Sequence, residues 1–310
     1  MSDRKLLANI VWAIMPEWFG QLLAGVELEV LAAKQAKAPA VQGNVAILPI
    51  HGVIQHRDSL MLDLFGGTST QRLAAQYVRA VNDDRIGAII FDVDSPGGMV
   101  SGTPEAAAII REGSARKPTF ACAQGDMCSA AYYLASQVGP GHLMASPSSR
   151  VGSIGVYAEH YDYSQAMADA GVKPTVMAMP EYKAEFTESS PLTDEAKEFW
   201  RSHIETAYEQ FVSDVAAGRQ TKASTVKADY GKGRFYWAEA AKERGMIDRV
   251  GTMSELFAEL TRTKGSKASA VANQEIAAEI AAAGDRPIEA FKSGTSLDLH
   301  ARRLALAERA

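Results

Sequence analysis

The run Ile86-Gly87-Ala88-Ile89-Ile90-Phe91-Asp92-Val93 is almost uninterrupted in its apolar character and stops at the turn sequence Asp94-Ser95-Pro96-Gly97-Gly98. A strand without polar alternation is buried on both faces, which is the signature of a parallel sheet covered by helices. A helical stretch at about 102–114 follows, and then the unit repeats. Thr119–Ala123 forms a second apolar run, and behind it Gly125-Asp126-Met127-Cys128-Ser129-Ala130-Ala131-Tyr132-Tyr133 opens a helix of small residues over about 128–138. Upstream, Val45–Ile50 reads as a short buried strand, 51–69 as a loop and 70–82 as a helix. Downstream come a strand near 142–145, the segment Val151–Ala158, a helix at 162–170, a strand at 174–179 and a polar loop from Pro180 to Leu192. Thr193 is a natural N-cap for a long helix to about Gly218. A helix at 237–244, stopped by Gly245, and a short strand at 247–250 complete the pattern. Such alternation of strand and helix with short connections specifies an α/β domain with a largely parallel sheet and crossover helices on its faces.

A chain of 310 residues buries a full core, and 47% hydrophobic with 22% charged residues is the balance of an ordinary globular protein. A net charge of -5, evenly spread, predicts no nucleic-acid partner. Two cysteines, Cys122 and Cys128, argue against a disulfide framework and for a reducing, cytoplasmic setting. The apolar stretch from Leu6 to Ala33 is interrupted by Pro16, Glu17, Gln21, Glu27 and Glu29, so it reads as an amphipathic helical arm and not as a membrane anchor or secretory signal. Three parts are expected: a helical N-terminal arm and linker over 1–43, an α/β domain over 44–263, and a flexible Ala/Glu-rich tail over 264–310 with one or two marginal helices, too few large apolar residues for a core of its own and the character of a partner-binding extension.

Ser129 stands out because a strand-to-helix turn presents its hydroxyl above the sheet while the first-turn N–H groups lack intrahelical partners, so that an oxyanion can form beside it. Backbone donors would come from Gly98 and Ala130, with Gly97 as a further one; glycine leaves room for a substrate carbonyl and accepts backbone angles that turn N–H groups inward. A serine hydroxyl needs a base. None of the six histidines, His51, His56, His142, His160, His203 and His300, lies in a recognisable triad setting, and each reads first as a locally bonded or surface side chain. Lys183, in Glu181-Tyr182-Lys183-Ala184-Glu185-Phe186, has aromatic neighbours that can wall it from water and favour the neutral amine. An isolated loop lysine is more often a solvated cation. Cys128 reads as a buried small hydrophobe and not as a rival nucleophile. Gly152-Ser153-Ile154-Gly155 lacks the Gly-Lys-Ser/Thr ending of a phosphate loop, and no metal-ligand spacing or cofactor motif is present.

Taken together, Asp94-Ser95-Pro96-Gly97-Gly98, Cys128-Ser129-Ala130-Ala131-Tyr132-Tyr133-Leu134-Ala135, Val151-Gly152-Ser153-Ile154-Gly155-Val156 and Tyr182-Lys183-Ala184-Glu185-Phe186 occur in the order found in the signal peptide peptidase A family of serine peptidases, which the chain resembles over roughly residues 44–260. The resemblance implies a ClpP/crotonase-like fold and a Ser–Lys dyad, with Ser129 as nucleophile, Lys183 as general base and Gly98 and Ala130 as oxyanion donors. It also implies a homo-oligomeric ring in which the dyad can be completed across subunits. Cys128-Ser129-Ala130-Ala131 replaces the more usual Ala-Ser-Gly-Gly. The missing anchor, the helical arm and the tail resemble the phage branch, whose members mature procapsids by cleaving scaffold and capsid proteins in the host cytoplasm or procapsid; that resemblance implies a serine peptidase domain over 44–263 and a scaffold-like tail over 264–310. Three alternatives remain open: a bacterial peptidase that degrades signal peptides, a crotonase-like acyl-CoA enzyme using the same oxyanion site, and a non-enzymatic assembly ring.

Overall fold

The computed structural model describes residues 12–15, 38–59, 62, 66–262, 270–286 and 288. Its strands are β1 (Trp12–Ile14), β2 (Ala40–Gln42), β3 (Val45–Gln55), β4 (Thr68–Ser69), β5 (Ala88–Met99), β6 (Thr119–Cys128), β7 (Leu143–Ala145), β8 (Arg150–Gly152), β9 (Phe235–Trp237) and β10 (Arg249–Val250). The helices are α1 (Thr70–Asn82), α2 (Thr103–Ser114), α3 (Ala130–Ala135), α4 (Ser164–Asp169), α5 (Asp194–Gly218), α6 (Ala223–Asp229), α7 (Ala238–Glu243), α8 (Met253–Arg262) and α9 (Ala270–Ala283). Ser69 caps α1 by accepting from the Arg72 N–H, and Thr193 caps α5 by accepting from the Ala196 N–H.

One sheet runs in the order β10-β7-β6-β5-β3-β2, and its central pairings are parallel. Side chains alternate across it as a two-residue period requires. Ile89, Phe91 and Val93 of β5 join the larger core with Leu48, Tyr77, Tyr132 and Phe211, beneath α1, α2, α3 and α5. Ala88 and Ile90 face the other way, into a smaller cluster with Val45, Cys122, Met144 and Leu256 of α8. The mixed α/β architecture with a parallel-rich sheet is the one expected from the apolar runs.

Four local expectations are corrected. In the arm, expected to be helical, Trp12–Ile14 is a strand paired with β5 and Met15 follows it; residues 1–11 and 16–37 lie outside the described residues. An unpaired length of β5 offers backbone partners there, and that outweighs helical periodicity. Part of the expected loop at 51–69 is strand, because β3 continues past a register shift at His51/Val53 to pair with Gly97 and Gly98. No strand forms at 174–179, where Pro174 and Pro180 bracket the segment and Val176, Met177 and Met179 lie exposed; strand propensity reflects fit to a neighbour, and none is within reach. The C-terminal region carries a helix, as expected, but the helix is docked and not part of a free tail. α9 docks on α1 and β2, buries Ile276 and Ile280, and is clamped where Glu279 meets Arg79 and Arg85.

Beneath the sheet's far end, Arg219 and Asp248 form a bidentate pair at 2.7 and 3.1 Å. Asp248 also accepts from the Leu143 N–H at 2.8 Å, tying the end of α5 to β7. Burial disfavours the Asp248 carboxylate, but the Arg219 guanidinium and the Leu143 amide outweigh it and hold the group below the usual carboxylate range. A depressed acid stabilises the fold above its unfolded value of about 3.9 and loses that contribution as pH falls through its folded value. Asp248→Asn is therefore expected to cost about 2–3 kcal/mol at pH 7. In chemical denaturation followed by circular dichroism, the gap from the parent should narrow steadily below about pH 4.

Candidate active site

Three strands converge where the register of the central sheet breaks. β5 shifts against β6 between Val93 and Ser95, so that Ser95 opposes Met127, and β8 pairs with the end of β6, setting Cys128 opposite Gly152. Ser129 follows immediately. Its N–H donates to the Gly152 carbonyl at 2.7 Å, and its own carbonyl accepts from the Tyr133 N–H at 2.9 Å as α3 begins. Between these anchors Ser129 takes φ 55° and ψ -121°. A side chain at positive φ is strained by its Cβ, and such strain persists only where surrounding contacts over-determine it. The residue is 1% exposed, and its Oγ has no hydrogen-bond partner among the described residues. A buried hydroxyl without a partner is costly in structural terms and available in chemical ones.

The glycine turn stands against this elbow. Gly97 has φ 104°, and the point where its Cβ would sit is within 3.0 Å of three atoms: the Ala13 carbonyl oxygen, Ser129 Cβ and the Ala130 nitrogen. A Cβ on Gly98 would overlap the Ile54 carbonyl. Ser95 pins the turn from below, donating through Oγ to the Gly52 carbonyl at 2.6 Å and accepting from the Gly97 N–H at 3.2 Å. Gly97, expected as a further oxyanion donor, therefore has its one N–H engaged in the turn and serves by the space it leaves. The β6 side is braced as well. Asp94 Oδ1 accepts from the Asp126 N–H at 3.1 Å, and the Asp126 carboxylate holds Arg150 of β8 through bonds of 2.7 and 2.6 Å. Arg150 in turn lies over the Phe235 ring at 5.0 Å.

Ser129, Ala130, Gly97 and Gly98 are thus brought together. Lys183 is not brought to them within the protomer: it sits on a short 3-10 turn, Glu181–Ala184, with an exposed side chain that makes no hydrogen bond or ion pair among the described residues. Its expected aromatic walls are engaged elsewhere. Tyr182 donates its hydroxyl to Glu195, and Phe186 packs edge-on against Trp200 at 4.7 Å. Each described histidine has a local partner: His51 meets Asp92, His56 meets Thr70, and His142, His160 and His203 bond the carbonyls of Val138, Thr187 and Phe199. His300 lies outside the described residues. Burial pushes the Cys122 thiol up to about 12, and Cys128 Sγ donates to the Arg150 carbonyl, so neither thiol is presented as a nucleophile. Among the described residues there is no acidic or thiol cluster able to hold a metal ion, and no helix is long and apolar enough to cross a membrane.

Beside the elbow opens a cavity of about 390 Å³, lined by Ala13, Val100, Pro104, Tyr133, Val156 and Phe211 together with polar groups of α5. Tyr133 is fixed there by stacking on Phe211 at 4.4 Å and by donating to Asp214 at 2.6 Å. The pattern of small residues after Ser129 pointed to the elbow, but no local signal marked Val156 or Phe211 as its neighbours. An unpartnered hydroxyl, a facing glycine turn and an adjoining apolar cavity suit attack on a carbonyl held in the cleft. Gly97→Ala places a Cβ among three atoms at a φ that disfavours it. The substitution should cost about 1–3 kcal/mol in urea unfolding, whereas Gly139→Ala, where nothing lies within 4 Å and only the φ is strained, should cost less.

Residues 111–267, a span that includes Ser129, Ala130 and Lys183, match the sequence pattern of peptidase family S49. The chain is 28% identical over 217 residues to the capsid assembly protease C of Escherichia phage lambda, covering 70% of this chain and 48% of that protein. It is 26% identical over 250 residues to the head-tail preconnector protein GP5 of Enterobacteria phage P21, covering 81% and 49%. Protease 4 of Salmonella typhi is 25% identical over 224 residues, covering 72% and 35%. The chain spans about half the length of the two phage relatives. With half of its residues matched by that pattern, around a strained serine elbow facing a glycine turn, the chain belongs to peptidase family S49.

Proposed function

We propose that the protein is a serine endopeptidase that cleaves peptide bonds through an acyl-enzyme on Ser129, with Lys183 as general base and the N–H groups of Gly98 and Ala130 as oxyanion donors. One observation carries this proposal: Ser129 Oγ is buried, unpartnered and held at a strained turn against Gly97. In the mechanism, the Lys183 amine takes the hydroxyl proton as Oγ attacks the scissile carbonyl. The developing oxyanion is stabilised by donors already in place. The proton passes to the leaving amine, and water then hydrolyses the ester by the same steps in reverse. The catalytic unit is residues 44–263, in a ClpP/crotonase-like arrangement, and the chemistry calls for no cofactor.

Lys183 is delivered by a neighbouring copy in a homo-oligomeric ring. Its segment projects from the core and exposes Tyr161, Tyr163, Val176, Met177 at 91% and Met179 at 89%, an apolar surface suited to burial between copies. Seated against such a surface, an ammonium loses hydration and gives way to the neutral amine. The phage relatives favour a scaffold or capsid protein as substrate, cut in the host cytoplasm or procapsid.

A fluorophosphonate probe should label the parent at Ser129 and leave Ser129→Ala blank, with an elution volume unchanged on size exclusion. Ser129→Ala should lower cleavage of a co-expressed scaffold or capsid substrate at least about 1,000-fold, and Lys183→Ala at least about 100-fold. Labelling of a correctly folded parent at no position would overturn the proposal. Because the dyad forms between copies, mixing the two inactive variants and letting them reassemble should restore part of the activity, while each alone stays silent.

A further inference from the structure

β1 is placed where a substrate strand would lie. It runs antiparallel to the end of β5, opposing Trp12 to Met99, Ala13 to Gly98 and Ile14 to Gly97. The Met15 N–H donates to the Pro96 carbonyl at 3.1 Å. Antiparallel ladders alternate bonded and non-bonded pairs, so Ala13–Gly98 is the next bonded pair and the Ala13 carbonyl is directed at the Gly98 N–H. That carbonyl oxygen also shares the small space beside Gly97 with Ser129 Cβ and the Ala130 nitrogen. Ala13 is among the residues that line the cavity beside the elbow, whose apolar part is formed with Val100, Pro104, Tyr133, Val156 and Phe211. Ala13, Ile14 and Met15 are all buried by this docking.

A peptide awaiting attack needs its scissile carbonyl at the oxyanion donors, the preceding side chain in a specificity pocket and a backbone held by strand pairing. All three coincide at Ala13. Resting on Ser129 as the nucleophile, we propose that residues 12–15 are a built-in substrate and that Ala13–Ile14 is the bond this protein cuts in itself. Oγ of Ser129 bonds to the Ala13 carbonyl carbon as its proton passes to the base. The Ala13–Ile14 C–N bond breaks, and Ile14 leaves with that proton as a new amino terminus. Water then cleaves the Ser129 ester, freeing Ala13 as a carboxylate and restoring the hydroxyl. Release of the segment up to Ala13 clears β5 for other extended substrates, and the cavity selects a small or medium apolar side chain before the cut. Until that release, β1 competes with incoming peptides for the same strand edge.

Intact-mass and N-terminal analysis of the full chain, followed in time after expression, tests this alongside fluorophosphonate labelling. The expected result is a labelled parent that accumulates a species beginning at Ile14, a Ser129→Ala variant that does not, and an Ala13→Asp variant that forms it at least tenfold more slowly, since a carboxylate must enter the apolar cavity. A parent that is labelled at Ser129 but keeps its amino terminus, or is cut elsewhere, overturns this proposal and leaves the peptidase reading intact. Cutting of Ala13→Asp at this bond at the parent rate overturns it equally. A folded parent that is not labelled overturns both.

Discussion

The approach of the Gly97 backbone to the Ser129 elbow is the contact on which the candidate site depends. A single Cβ at position 97 would collide with Ser129, with the first amide of α3 and with the strand docked from the arm. Keeping that space open requires a glycine at φ 104° on one side and a serine at φ 55° on the other. Glycine accepts its angle without a Cβ penalty, but the serine's is strained in isolation. The parallel pairing of β5 with β6, the Ser129–Gly152 hydrogen bond and the Asp126–Arg150 pair hold both at once. Strain at the elbow is therefore sustained by the sheet and by the ion pair at its edge.

A second constraint comes from what the protomer leaves uncovered. The core is closed over the central strands by helices on both faces, whereas the segment from about 157 to 192 carries exposed aromatic, valine and methionine side chains and little regular structure. Apolar surface of that extent is costly in water unless another surface covers it. The lysine proposed as base lies on this same segment, so the stretch that exposes apolar surface in the protomer is also the one that, in the proposed ring, would carry the base to a neighbour's serine.

Much of the sheet was legible because its signals are local. Unbroken apolar runs at 86–93 and 119–123 mark strands buried on both faces, and Ser69 and Thr193 mark helix starts through short-range capping. The same locality made Ser129 conspicuous: a small-residue helix directly after a buried strand leaves few places for the first side chain to point. The segments that depart from expectation depend on partners distant in sequence. Residues 12–14 follow a free length of β5 some 85 positions away and not their own periodicity. Residues 174–179 have strand-forming side chains but no edge to join. Residues 270–283 look too poor in large side chains for a core, yet two isoleucines suffice once α1 and β2 supply the rest.

By itself the sequence determined the alternation of strand and helix, the position of the serine elbow and the glycine turn that can face it, because each is written in contiguous residues and their backbone preferences. Only the tertiary structure decided that Gly97 touches Ser129, that an apolar cavity opens beside Tyr133, that Lys183 stands exposed in the protomer and that Ala13 lies across the cleft. Those outcomes rest on contacts between elements tens of residues apart, and their energies come from packing and strand pairing that no local pattern encodes.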